Sequence, residues 1–502
     1  MIRAIIIFVS LALQIGIFVV STVIFSDIFV LFEIFMLILS IVIVLGIVTK
    51  NKNPSNKMLW IILILAFPVF GTALYLIIGH NIYKSKRLKA LYISMSKIKE
   101  HLVQDDKVLD EIKEKDISIY GDVNYISNKA GFPIFKEEKL SYYSTGEKVY
   151  PEIIKELNSA KHYIFMEYFT ISDGKMWQGI LEILEKKAKE GVDVRVIYDD
   201  IGSAAYLPKD FRKNLKSKGI RCVCFNKLKP IVSAILNNRD HRKITVIDGK
   251  VAFCGGINIA DEYINKKKRF GYWKDCAVKV EGEAAKSFTA IFLEIWNVYS
   301  IKEQELEDFV YVEDMSKVNY GKGFICPYAE SPLDSENVGE NVYLNILNKA
   351  NSYVYIFTPY LILDTDLMTA ITLAAKRGVD VRIVLPGIPD KKIVFSIGRS
   401  FYKILIKSGV KIYEYTPGFM HSKVFVCDDK VATVGTFNLD YRSLYTHFEC
   451  STYIYNSEVI YDIKKDATDT FEESRLVLET DLKTSFLRNI LNAILRLFAP
   501  LL

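Results

Sequence analysis

Two copies of one polar pattern stand out in this chain of 502 residues. Each copy reads His-x-Lys-x-x-x-x-Asp and is followed seven residues later by Gly-x-x-Asn. The first copy consists of His241, Lys243, Asp248, Gly255 and Asn258, and the second of His421, Lys423, Asp428, Gly435 and Asn438. The chain has only six histidines, so two of them in the same setting indicate a shared chemical task.

These residue types suit an attack on a phosphodiester. A neutral imidazole can attack phosphorus and form a covalent intermediate, and a second, protonated imidazole can give a proton to the departing alkoxide. Lysine ammonium groups and the amides of Asn258 and Asn438 can donate hydrogen bonds to the phosphate oxygens. One copy supplies half of this set and two copies supply all of it. We therefore expect two halves that face each other about a pseudo-twofold axis, with one shared site.

The carboxylates near the motifs each have two interpretations. Asp248 and Asp428 fall at predicted turns, so they either take part in the chemistry or only support the turn. Asp275 and Glu449 lie at comparable distances after the two motifs. Each of these two either orients its histidine through the far ring nitrogen or lies at the surface.

Side-chain alternation predicts the elements that carry the motifs. His241 and Lys243 fall on the same face of a strand that runs to Ile247, since successive side chains of a strand point to opposite faces. The second copy repeats this arrangement ahead of Val424–Cys427. A turn and another apolar strand follow each time, which is typical of a hairpin.

The hydrophilic part of the chain also repeats itself outside the motifs. Residues 190–198 read EGVDVRVIY, and residues 377–385 read RGVDVRIVL. A period of roughly 185 residues indicates a duplicated domain rather than a solenoid. Helix-spaced apolar residues over 177–189 and 366–376 alternate with β-branched runs, which is typical of an α/β sandwich. We predict a first domain over residues 110–310 and a second over residues 315–502.

Three apolar runs at the N-terminus, residues 4–25, 28–48 and 58–79, account for much of the apolar content of 50%. Each run is close to the ~20 residues that a helix needs to cross a bilayer. We therefore predict a helical membrane anchor over residues 1–85 and a multi-pass protein of the plasma membrane. Lysines and arginines after the second and third runs place the hydrophilic domains in the cytoplasm. The third run, broken by Pro68 and Gly71, either spans the membrane or enters and returns.

The cysteines and the net charge indicate the redox environment of the protein and the kind of partner it has. Most of the seven cysteines fall in apolar strand-like runs, which favours buried free thiols over a disulfide framework. A net charge of +6 suits an anionic membrane surface better than a nucleic acid, so we predict no nucleic-acid partner. The C-terminal residues 483–498 form an amphipathic pattern, so this helix either packs in the core or lies in the membrane interface.

The duplicated motif resembles the defining mark of the phospholipase D superfamily, and the resemblance covers roughly residues 120–480. Finer features resemble bacterial cardiolipin synthases in particular. They are the N-terminal segment with Trp60, Pro68 and Gly71, the stretch Phe165-Met-Glu-Tyr168, the stretch Phe437-Asn-Leu-Asp-Tyr-Arg-Ser443 and the terminal Ala499-Pro-Leu-Leu502.

The resemblance implies an α/β fold of two tandem phospholipase D-like α/β/α sandwich domains. It implies an enzyme that joins two phosphatidylglycerol molecules into cardiolipin and releases glycerol, through a phosphohistidine and without a metal or cofactor. Phosphatidylglycerol and other membrane lipids are then the partners. A phospholipase D, another phosphatidyltransferase with a different acceptor alcohol, and a non-catalytic membrane scaffold are the alternatives.

Overall fold

The computed structural model of the chain describes residues 26–49, 54–76, 86–227, 238–299, 306–309, 320–334 and 336–482, besides a few isolated positions. The chain divides into two units, an N-terminal unit that contains residues 26–76 and a large unit that begins at Arg87. The apolar run predicted over residues 4–25 and the predicted C-terminal helix lie outside the described residues, apart from isolated positions.

The N-terminal unit consists of three apolar helices, α1 (Ser26–Val48), α2 (Pro54–Ala66) and α3 (Pro68–Leu74). Within the described residues, Val30–Val48 of α1 is the one stretch long and apolar enough to cross a membrane. The third apolar run is broken at Phe67, whose backbone is not helical, because the proline that follows disfavours a helical conformation there. Gly71 of α3 faces the backbone of Leu63, where an added Cβ would lie 2.4 Å from the carbonyl oxygen.

The helices that follow are short to medium in length. They are α4 (Lys86–Glu100), α5 (Asp106–Lys115), α6 (Ile117–Asn124), α7 (Gly146–Ser159), α8 (Lys175–Lys189), α9 (Asp200–Ser203), α10 (Phe211–Ser217), α11 (Ala285–Tyr299), α12 (Val338–Lys349), α13 (Thr365–Lys376), α14 (Lys392–Lys407), α15 (Tyr441–Tyr445) and α16 (Val459–Glu472). Two of them, α8 and α13, confirm the helices predicted over residues 177–189 and 366–376.

The strands of the first half are β1 (Phe135–Lys136), β2 (Lys139–Tyr143), β3 (Tyr163–Tyr168), β4 (Asp193–Asp199), β5 (Arg221–Phe225), β6 (Arg239–Asp240), β7 (Lys243–Ile247), β8 (Val251–Gly255), β9 (Tyr272–Lys274) and β10 (Ala277–Glu281). Those of the second half are β11 (Phe324–Glu330), β12 (Tyr353–Phe357), β13 (Asp380–Pro386), β14 (Lys411–Tyr415), β15 (Gly418–Met420), β16 (Val424–Cys427), β17 (Val431–Gly435), β18 (His447–Tyr455) and β19 (Ser474–Leu476).

Two mixed sheets repeat one strand order. The first runs β2-β10-β8-β7-β3-β4-β5, and the second contains β11-β18-β17-β16-β12-β13-β14 with β1 and β19 at its two ends. In both, the last three strands of the series are parallel to one another and the remaining neighbours are antiparallel. The duplication predicted from the sequence is therefore present strand by strand.

Each repeated motif begins just before a hairpin and ends in its turn; the hairpins are β7–β8 in the first half and β16–β17 in the second. Both turns contain two consecutive residues of positive φ, Asp248–Gly249 and Asp428–Asp429, which matches the tight turn that the right-handed strand twist requires. One detail of the prediction is wrong. Strand β7 begins at Lys243, so His241 lies before the strand and not within it.

Two short strand pairs join the halves. Strand β6 pairs in parallel with β18, and β9 pairs in parallel with β15. The seven cysteines are all free thiols, as predicted, and only Cys222 is not fully buried.

Candidate active site

Both motif histidines are held by backbone of the opposite half. The His241 amide, just after β6, donates to the Phe448 carbonyl of β18 at 2.9 Å. The His421 amide, just after β15, donates to the Lys274 carbonyl of β9 at 2.8 Å. The two contacts are reciprocal, as expected for halves related by a pseudo-twofold axis. The strand pairs between the halves therefore bring both histidines to one interface.

A buried carboxylate contacts the Nδ1 atom of each imidazole. His241 Nδ1 lies 2.9 Å from both carboxylate oxygens of Glu449, and His421 Nδ1 lies 2.6 Å from Asp275 Oδ2. Both carboxylates are fully buried, so they are not surface groups. Each carboxylate contacts the histidine of the other motif, and an orienting role stays a prediction. This pairing follows from the strand pairs between the halves. Asp275 directly follows β9, which pairs with β15 next to His421, and Glu449 lies in β18, which pairs with β6 next to His241.

This contact fixes which ring nitrogen is available for chemistry. A carboxylate accepts hydrogen bonds, so we assign the proton of each neutral imidazole to Nδ1. Nε2 then keeps its lone pair. A neutral imidazole with a free Nε2 is the form that can attack phosphorus or accept a proton.

The two motif lysines lie beside the histidines and are also buried. Lys243 Nζ donates to the His241 carbonyl at 2.7 Å. Lys423 Nζ donates to the His421 carbonyl and lies 3.0 Å from His421 Nδ1. Burial lowers the pKa of Lys423 to about 7, although the negative charge of Asp275 opposes the shift. Burial also lowers the pKa of Lys243, opposed by Glu449 and Asp275.

Charged groups of both motifs affect the pKa of each motif histidine. Burial and then the Lys243 charge lower the pKa of His241 well below its usual value, and Lys423 of the other motif acts in the same direction. Burial and then Lys423 lower the pKa of His421, and Lys243 adds to the effect. Both imidazoles are therefore neutral in the free site. An anionic phosphate between them would counteract the lysine charges and favour protonation of one ring.

The two motif asparagines differ in the hydrogen bonds that their side chains make. Asn258 accepts from the Thr170 amide at 2.9 Å and donates to the Tyr263 hydroxyl at 2.7 Å, so one of its two amide hydrogens is in use. The ring of Tyr263 lies 5.4 Å from that of His421. Asn438 is 4% exposed, and its Oδ1 has no hydrogen-bond partner in the described structure. Binding of phosphate by these two amides stays a prediction.

The structure does not bring Asp248 and Asp428 to the imidazoles. Asp248 accepts from the backbone amides of Lys161, His162 and Tyr163, and Asp428 from those of Asn351, Ser352 and Tyr353. At ~3.3 Å per residue, a strand carries Asp248 about 16 Å from Lys243. Both carboxylates therefore fix a hairpin turn to the start of the neighbouring strand, and the expectation of direct chemistry finds no contact to support it.

A third histidine went unnoticed in the sequence. His447 is buried, its ring centre lies 5.6 Å from that of His241, and its Nδ1 lies 3.7 Å from Glu449 Oε1. The corresponding neighbour of His421 is Trp273, at 5.7 Å. His447 precedes Glu449 by two residues, just as Trp273 precedes Asp275. That equal spacing is the signal that identifies this position.

Two groups of side chains in the described part of the chain have the spacing of metal ligands. The first consists of His241, His447 and Glu449, and the second of Glu340, Asp364 and Asp366. Two acids of the second group already have protein partners: the Tyr445 hydroxyl donates to Glu340 at 2.7 Å, and Asp364 caps α13.

Comparison with known proteins identifies the family. The family model described as "Cardiolipin synthase, PLD-like domain" matches residues 153–296 and 343–472. The model "Phospholipase_D-nuclease N-terminal" matches residues 35–80. The chain belongs to the bacterial cardiolipin synthases of the phospholipase D superfamily. The predicted fold class, α/β with two tandem phospholipase D-like domains, is thereby confirmed.

Individual relatives agree with this membership. The cardiolipin synthase of Alkalihalophilus pseudofirmus is 34% identical over 467 residues, which is 92% of each chain. An uncharacterized protein of Streptococcus mutans is 46% identical over 91% of this chain and 99% of its own length. The crystal structure of phosphatidylserine synthase from Haemophilus influenzae shares the fold, with a TM-score of 0.58, 14% identity, and coverage of 76% of this chain and 100% of that one.

The family membership and the apolar N-terminal helix together establish the general activity. The protein is a membrane-associated phosphatidyltransferase of the phospholipase D type that acts on phospholipids.

Proposed function

We propose that the protein is a cardiolipin synthase that transfers the phosphatidyl group of one phosphatidylglycerol to a second one and releases glycerol. The observation that carries the proposal is the reciprocal pairing of His241 with Glu449 and of His421 with Asp275. In this proposal the two Nε2 atoms and the two ammonium groups act on one phosphate. The cardiolipin synthases among the relatives support the choice of lipid.

In the first half-reaction His241 Nε2 attacks the phosphorus of the donor lipid. The bond from phosphorus to the headgroup oxygen breaks, and His421, protonated once the anionic phosphate is bound, gives its Nε2 proton to the departing glycerol. Lys243 and Lys423 stabilise the charge on the non-bridging oxygens in the transition state. The products are a phosphatidyl-histidine and free glycerol.

In the second half-reaction His421 acts as a base. It removes the proton from the headgroup hydroxyl of the second phosphatidylglycerol, whose oxygen attacks the phosphorus and displaces His241 Nε2. Cardiolipin leaves, and both imidazoles return to their starting state. The near symmetry of the two motifs allows the reverse assignment of the histidines, and trapping of the intermediate in each His→Asn variant distinguishes the two.

The membrane unit favours lipid over water as the acceptor. A site tethered to the bilayer meets lipid hydroxyls at high effective concentration. We further propose a multi-pass anchor over residues 1–85, and two domains over residues 110–310 and 315–502 that lie on the cytoplasmic side, where the basic residues after the apolar runs are retained.

The test is product analysis with the full-length protein in vesicles of phosphatidylglycerol alone. We expect cardiolipin and glycerol in equal amounts, and loss of both in the His421→Asn variant. His162→Asn is the matched control, because that side chain is exposed and the structural contacts are made by the backbone, whose amide donates to Asp248 and whose carbonyl accepts from the Asp193 amide. Phosphatidic acid as the main product would identify a hydrolase instead, and undiminished turnover in the His421 variant would refute the mechanism.

A further inference from the structure

The surroundings of His447 are unusual for a buried histidine. The residue is 8% exposed, and neither of its ring nitrogens has a hydrogen-bond partner in the described structure. A buried polar atom without a partner is unfavourable, so a ligand that binds it is favoured. Two further ligand-type groups, Glu449 and His241, lie directly beside it.

The distances approach those of a metal site. The three potential ligand atoms lie within 4.8 Å of one another. Glu449 connects the set, because its carboxylate is 2.9 Å from His241 Nδ1 and 3.7 Å from His447 Nδ1. Tetrahedral zinc with bonds of ~2.0 Å has its ligand atoms about 3.3 Å apart. Side-chain shifts of about 1 Å would therefore complete the geometry.

We propose that His241, His447 and Glu449 bind one divalent transition-metal ion, of which Zn²⁺ is the best match. Two imidazoles and one carboxylate form an established zinc ligand set that leaves a fourth position for water. Imidazole ligands disfavour Mg²⁺ and Ca²⁺, which prefer oxygen. The other half does not repeat the site, because Trp273 replaces His447 and an indole has no lone pair to offer. We therefore expect one ion per chain.

Bound metal would switch the enzyme off, an inference that rests on the proposed function. The ion would replace the proton on His241 Nδ1, which is released to solvent, and would place positive charge on the ring. Nε2 would then be a weaker nucleophile and base. Zn²⁺ is thus expected to inhibit lipid transfer, whereas Mg²⁺ is not.

The test uses the purified full-length protein in detergent, freed of metal by a chelator, with Co²⁺ as a spectroscopic substitute for Zn²⁺. We expect the visible absorption of tetrahedral cobalt, saturating at one ion per chain, and its displacement by Zn²⁺. His447→Gln should weaken binding by at least about 100-fold, because even the loss of a partner that only orients a ligand costs ~10–100-fold. His162→Gln, which removes an exposed histidine, should leave binding unchanged.

A second variant guards against misfolding of the first. His447→Cys keeps a ligand at this position, so it should bind cobalt and add a thiolate-to-cobalt absorption band. The proposal is overturned if the wild-type chain shows no tetrahedral cobalt spectrum, if His447→Gln binds as tightly as the wild type, or if the cysteine variant lacks the new band. No lipid is present in this assay, so its failure is separate from a failure to make cardiolipin.

Discussion

Asp275→Asn tests the pairing of each histidine with a carboxylate of the opposite half. The substitution keeps the size of a fully buried side chain and removes only its charge. The carboxylate oxygen lies 2.6 Å from His421 Nδ1, so it stabilises the imidazolium that forms when His421 carries the transferred proton. An amide oxygen can still accept the Nδ1 hydrogen bond, but it does not offset the positive charge.

The size of the effect follows from Coulomb's law. With opposite charges ~4 Å apart and an effective dielectric constant of about 20, the pair is worth about 4 kcal/mol. Each ~1.4 kcal/mol changes a rate tenfold. We therefore expect kcat to fall by about 10³, with a much smaller change in KM because Asp275 is fully buried behind the Nδ1 side of the His421 ring.

The assay is cardiolipin formation in phosphatidylglycerol vesicles as a function of pH. In Asp275→Asn the imidazolium is less stable, so the pKa of His421 falls and the alkaline limb of the kcat profile moves to lower pH. Asp275→Glu should retain more activity, since glutamate performs this task for His241. Asp466→Asn is the control, because that carboxylate bonds Lys274 at 2.7 Å and contacts no histidine among the residues that the structure describes. A kcat for Asp275→Asn within about threefold of wild type refutes the reasoning.

Three other predictions concern charge, a turn and the membrane unit. Because burial lowers the pKa of Lys423 to about 7, its ammonium is lost as pH rises, and kcat/KM of the wild type should fall above pH about 7. Asp248→Asn weakens three hydrogen bonds from backbone amides. Urea unfolding should therefore show a free energy of unfolding about 1–3 kcal/mol lower than that of the wild type, with kcat nearly unchanged. A large loss of kcat with unchanged stability would instead support a direct chemical role for Asp248. Gly71→Val places a side chain against the backbone of Leu63 and should reduce the amount of protein recovered from the membrane fraction; recovery equal to wild type would contradict this packing.

Local patterns predicted the hairpins and helices well. Alternating apolar residues around Asp248 and Asp428 fixed the strands, and the turn residues tolerate positive φ. The duplicated motif predicted one shared site because each copy holds half of the required groups. These predictions use only the pattern of residues close together in the sequence and the internal repeat, and both can be read from the amino-acid sequence.

The parts that were missed depend on contacts between distant segments. Glu449 reaches His241 only because β6 pairs with β18, and no periodicity in the chain reveals that pairing. Arg242, inside the first motif, makes another contact that no periodicity in the chain reveals. Its buried guanidinium donates to Glu294 of α11 at 2.9 Å. In the second motif Ser422 takes this place.

The most direct test of one shared site is the steady-state rate of cardiolipin synthesis in His241→Asn and His421→Asn, measured separately. If both imidazoles act on the same phosphorus, each single variant should lose at least about 10³ in kcat, and the double variant should be little worse than either one. If each half is an independent site, each single variant should keep about half of the activity, and that result would contradict the account.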